Sequence, residues 1–166
     1  SVHQMADGEV LRLGVGTTLV GHGRATAEIV WARNQPPPAS CSSPPLGTTA
    51  IESGCVLALI TINATARIMD LTVTVSSPVD NVIWVQNGSS LVILQRIRIA
   101  VTSEIPNGYN VGAAVQVSGS GFQMVDSIID YLPLVENCCG TADKCWPHRG
   151  VALYFEANSG GLFARN

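Results

Sequence analysis

One phrase recurs along this chain: an alternating apolar strand, a turn of small residues, then more alternating strand. It runs over Val10 to Ala32, Cys55 to Val75, Asn81 to Val101, Ala113 to Leu132, and Gly150 to the C-terminus. Three of the strands read Val82-Ile83-Trp84-Val85, Ala114-Val115-Gln116-Val117 and Ala152-Leu153-Tyr154-Phe155, each followed at the same phase by a polar turn. Beyond the turn, Ala66-x-Ile68-x-x-Leu71-x-Val73 matches Val92-x-Leu94-x-x-Ile97-x-Ile99: two short strands with a two-residue bend between them. A unit of about 20 to 25 residues cannot bury its own apolar side, and stacking such units buries it. Alternating strands alone also fit a flat sandwich. The repeated internal phase favours a solenoid, an all-β right-handed parallel β-helix of about five coils formed as a single domain over 1–166.

Composition agrees with a chain packed largely on itself. Hydrophobic residues make up 46% and charged residues 13%, about half the usual charge density. Val, Ile, Thr, Gly and Pro favour strands joined by turns. The net charge of −3 and scattered Lys and Arg leave no basic footprint for nucleic acid. The apolar runs fall far short of the roughly 20 residues of a bilayer-spanning helix, so membrane insertion is not expected. The polar start at Ser1 reads as a trimmed or processed end, and the chain as a piece of a longer protein.

Extra chain interrupts the repeat at Arg33 to Gly54, Ser76 to Asp80, Thr102 to Gly112 and Pro133 to Arg149. Each insertion follows one coil and precedes the next, so all leave the same edge of the stack. Such loops carry recognition or cover the flank. Cys41, Cys55, Cys138, Cys139 and Cys145 lie within these insertions or at their margins. Their spacing fits no paired zinc motif, even with His148. Five cysteines in a chain of this kind point to structural disulfides and an oxidising, extracellular setting, the odd one unpaired or paired outside this piece, with Cys41–Cys55 or Cys145 with Cys138 or Cys139 as the expected pairings.

Gly14-Val15-Gly16-Thr17-Thr18-Leu19-Val20-Gly21-His22-Gly23, followed by the strand Ala27 to Trp31, resembles the first-coil phrase of the pectate-lyase-like right-handed β-helix superfamily. That superfamily includes polysaccharide lyases, polygalacturonases and phage or viral tailspikes. The resemblance implies the fold and leaves the function open. Gly21-His22-Gly23 matches a polygalacturonase motif literally but stands alone in the first coil, and reads as a turn with a solvated histidine. Trp84-Val85-Gln86-Asn87 is the phrase nearest to the WIDH-like strand in which pectate lyases carry a calcium-binding Asp, with Gln in place of the acid, a poor substitute in a calcium shell. No metal or other cofactor is expected.

Paired carboxylates hydrolyse glycosidic bonds, so the acids of the stack are weighed individually. Asp70, Arg96 and Ser127 align at one bend position, which makes Asp70–Arg96 an inter-coil ion pair. The fourth coil reads with either Val125 and Ile128 or Met124 and Ile129 inward, and one of these registers buries Asp130. Asp126, Asp130 and Glu156 are the catalytic candidates; an enzyme here would be a polysaccharide lyase or glycoside hydrolase, with its site between subunits or outside this piece.

The stronger expectation is a binding stripe. Taking Ile60, Val85, Val117 and Phe155 as inward places Leu59, Trp84, Gln116 and Tyr154 in one outward column. Thr61, Gln86, Ser118 and Glu156 stand in the next. Aromatic faces cover the C–H side of a sugar while amides and carboxylates bond its hydroxyls. Trp84, Gln86, Gln116, Tyr154 and Glu156 are therefore the expected contacts to host-surface polysaccharide or glycoprotein, unless an insertion folds over the column. The tailspike resemblance implies a homotrimer; a structural spacer is the third reading. Asn63-Ala64-Thr65 and Asn87-Gly88-Ser89 match the N-glycosylation sequon, at turns where Asn is favoured for backbone reasons.

Overall fold

The computed structural model describes residues 1–6, 9–32, 58–76, 79, 81–87, 91–101, 113–119, 121–131, 151–156 and 159–166. Among them every regular element is a strand. β1 (Val2–Gln4) precedes the first full coil, which consists of β2 (Leu11–Leu13), β3 (Thr17–Val20) and β4 (Glu28–Trp31). The second coil is β5 (Ala58–Ile62), β6 (Ala66–Met69) and β7 (Thr72–Val75); the third is β8 (Asn81–Val85), β9 (Val92–Gln95) and β10 (Arg98–Val101). The fourth is β11 (Ala113–Val117), β12 (Phe122–Val125) and β13 (Ile128–Tyr131), and the last holds β14 (Val151–Phe155) and β15 (Gly161–Ala164).

Corresponding strands pair in parallel and build three five-stranded sheets. The first sheet is β2-β5-β8-β11-β14, the second β3-β6-β9-β12-β15, and the third β1-β4-β7-β10-β13. The chain is thus a right-handed parallel β-helix of about five coils. The described strands flanking 33–57, 77–80, 102–112 and 132–150 show that each of these segments links the third sheet to the first sheet of the next coil. The five cysteines, and hence the expected disulfides, lie outside the described residues.

Like residues stack on like inside the coil. Ile60, Ile83 and Val115 are level in the first sheet, and Ile68, Leu94 and Met124 in the second. All six are buried, each contributing about 1.5–3 kcal/mol relative to an exposed position. In-register stacking is what makes β-branched residues useful here, since each methyl pair meets its equivalent one strand away.

In the second, third and fourth coils the chain passes from the second sheet to the third on a single left-handed residue, and the residue after β15 takes the same conformation. Asp70, Arg96, Asp126 and Arg165 have φ of 57°, 50°, 52° and 54°. For non-glycine residues that conformation is uncommon, and the stacked side chains offset its strain. The Arg96 guanidinium donates two hydrogen bonds of 2.7 Å to the Asp70 carboxylate, and Arg165 donates two of 2.5 and 2.8 Å to Asp126. Such forked, charge-assisted pairs are the strong ones. The Asp70–Arg96 pair is as expected, but the fourth coil's bend residue is Asp126, not Ser127. Ser127 instead fills the inward slot of Leu71 and Ile97, fully buried. Its hydroxyl donates to the Val125 carbonyl at 2.9 Å and accepts from the Ile97 N–H at 3.3 Å.

These pairs set a pH dependence. Hydrogen bonds from Arg96 and Arg165 hold the Asp70 and Asp126 carboxyls below the usual carboxylate range. Glu9 is lowered too, first by the Ala6 N–H and then by His3. A carboxylate whose folded pKa is depressed stabilises the fold above its unfolded pKa and loses that contribution as pH falls through the folded value. The unfolding midpoint is therefore expected to hold from pH 8 to pH 5 and to drop below about pH 4. The Asp70→Asn, Asp126→Asn double variant, which keeps residues tolerant of positive φ, should flatten that slope. Thermal melts across this range check both.

Candidate functional site

Strand pairing forms an outward column on the first sheet, with Thr61 in place of Leu59 and Arg12 added. Strand pairing makes Arg12, Thr61, Trp84, Gln116 and Tyr154 level with one another. Ile60 pairs with Ile83 rather than with Val85, so the second coil is displaced by two residues from the expected alignment. In-or-out parity survives because the displacement is even. Leu59 leaves the column and takes a position level with Val82 and Ala114. All three face outward by alternation, yet each is fully buried. The next column begins with Asn63 in place of Thr61 and continues with Gln86, Ser118 and Glu156.

Trp84, Gln116 and Glu156 are held by their neighbours. The Trp84 ring is half-buried, and its indole N–H donates to the Ser118 hydroxyl at 3.0 Å. With that donor engaged, the ring offers a ligand its π face. The Gln116 amide donates to the Glu156 carboxylate, and the Ser159 hydroxyl donates to the Glu156 carbonyl at 2.5 Å. Tyr154 is half-buried, and Arg12, at the sheet edge, is exposed. The arrangement is a ladder of prepositioned groups on a rigid scaffold, with aromatic residues separated by one amide.

The three acids weighed for catalysis do not come together. Glu156 follows β14 on the first sheet, Asp126 is the bend residue after β12, and Asp130 stands on β13 in the third sheet. Asp126 is held by Arg165 and Asp130 accepts from Arg98 at 2.6 Å. The register that would have buried Asp130 is not the one adopted. Phe122 and Met124 point inward and are buried, Ile129 packs against the core, and Asp130 faces out with 43% of its side chain exposed.

His22 is exposed on the Gly21–Thr26 turn, where its carbonyl accepts from the Thr26 hydroxyl at 2.9 Å. Asn63 and Thr65 are exposed on the turn after β5, while the second sequon lies partly outside the described residues. No described helix is long and apolar enough to cross a membrane.

Sequence reasoning missed Arg12. The signal was present as a triplet of apolar, outward and apolar residues, Leu11-Arg12-Leu13, which repeats as Ile60-Thr61-Ile62, Ile83-Trp84-Val85, Val115-Gln116-Val117 and Leu153-Tyr154-Phe155. Comparison with known protein families, with characterised proteins and with solved structures gives no match to this chain.

Proposed function

We propose that this β-helix is a tailspike-like surface domain of a virus or phage, and that the Trp84 column engages host-surface polysaccharide or glycoprotein. The observation that carries the reading is the half-buried Trp84 ring, fixed by Ser118 and flanked along the same ladder by Gln116 and Tyr154. A sugar ring stacks on an aromatic face while neighbouring polar groups bond its hydroxyls. That the candidate acids are engaged with Arg165, Arg98 and Gln116 supports binding over hydrolysis. An extracellular or virion-surface location and assembly as a homotrimer belong to the same proposal.

Screening the protein on a glycan array, with a reducing-sugar assay on the same preparation, tests it. Retention of a defined set of glycans without release of reducing ends is the expected result. Release of reducing ends would instead make it a glycan-cleaving enzyme, and absence of both would leave a structural spacer.

A further inference from the structure

We infer that the ligand of the Trp84 column is an acidic saccharide, whose carboxylate or sulfate group is taken by Arg12. The inference rests on the glycan-binding reading and adds the chemical class of the glycan. Strand pairing places Arg12 in the same outward column as Trp84, with Thr61 between them. Two steps of the parallel ladder separate their backbones by about 10 Å, so an oligosaccharide lying along the stack spans both. The Arg12 side chain is exposed and has no carboxylate or hydrogen-bond partner among the described residues.

That separates Arg12 from Arg96, Arg98 and Arg165, each of which is committed to an aspartate. Two polar groups near the ring are engaged within the protein: the indole N–H by Ser118, the Gln116 amide by Glu156. A ligand stacked on Trp84 therefore meets one uncommitted cation along the ladder. A guanidinium presents a planar fork of donors that matches carboxylate and sulfate oxygens, and gains more from an anion than from a hydroxyl. At the far end of the site stands Glu156, which disfavours a second anionic group there. The ladder is polar along its axis, and so is the ligand's binding orientation.

The test is calorimetric titration of the protein with cellotetraose, its carboxylated glucuronate counterpart and its sulfated counterpart. Either or both acidic forms should bind about tenfold more tightly than the neutral one in roughly 50 mM salt, an advantage that shrinks at about 500 mM. The form preferred identifies carboxylate or sulfate as the group recognised. Arg12→Gln should bring acidic probes down to the neutral affinity with an unchanged melting temperature, while Trp84→Ala weakens all probes alike. Equal binding of acidic and neutral probes, or no selective effect of Arg12→Gln, overturns the acidic assignment. If Trp84→Ala still weakens the neutral probe, the glycan reading survives that result. If no probe binds, both fall together.

Discussion

Truncating Ile83 to alanine should destabilise the protein by about 2–5 kcal/mol, whereas Trp84→Ala, its neighbour, should cost about 1 kcal/mol of stability and about 1–3 kcal/mol of saccharide affinity. The contrast comes from strand alternation. Ile83 points into the coil, is fully buried, and sits level with Ile60 below and Val115 above. Its removal leaves a cavity walled by the adjacent coils, whose hydrogen-bonded ladders cannot collapse into it. Trp84 points outward from the same strand, and its loss removes one hydrogen bond to Ser118 without opening the core. Urea unfolding of both variants, with titration of a glycan retained on the array, separates the two roles. A silent Ile83→Ala with an unfolded Trp84→Ala would mean the opposite face is the core. If Trp84→Ala changes neither stability nor binding, the ladder is not the recognition surface.

The repeat was legible because an inward residue on one coil has an inward residue above it, and the described strands of all five segments follow from that. What failed was register within a coil. Three residues, 63–65, separate β5 from β6, whereas six, 86–91, separate β8 from β9. Ile60 and Ile62 are both inward, so alternation alone accepts a two-residue slip. The same slip put Leu59 in the Trp84 column. In the fourth coil the obstacle was chemical. Ser127 occupies an apolar slot because Val125 and Ile97 satisfy its hydroxyl, and a polar residue in a core position moved the apparent bend by one. The burial of Leu59, Val82 and Ala114 was beyond reach for a different reason. Periodicity gives the direction of a side chain, not what lies over it.

Gly21→Ala should cost about 3 kcal/mol, the upper range for forcing extra volume into a packed site, while Gly14→Ala stays within about 1 kcal/mol. Both glycines belong to the phrase that resembles the superfamily's first coil, so the phrase itself does not distinguish them. The structure does. Gly21 follows β3 and stands level with the bend at Asp70, with its N–H donating to the Met69 carbonyl at 2.9 Å. A Cβ there would meet the Asp70 carbonyl oxygen at 2.3 Å, the Ala27 Cβ at 2.6 Å and the Leu71 Cβ at 2.8 Å. The nearest obstacle is backbone, carried by a residue whose side chain is locked to Arg96, so it has little freedom to retreat. Absence of a side chain, rather than a special φ, is therefore what the position requires. Gly14 has nothing within 4 Å of its would-be Cβ, and its exchange tests only the flexibility lost from the unfolded chain. Because the Gly21 clash falls on the Asp70 bend, the variant should also weaken the Asp70–Arg96 pair and shift acid unfolding to higher pH. Denaturant midpoints for the two variants at pH 7, repeated at pH 4, measure this. Equal midpoints at both pH values would show that the first coil does not pack against the bend of the second as tightly as these distances require.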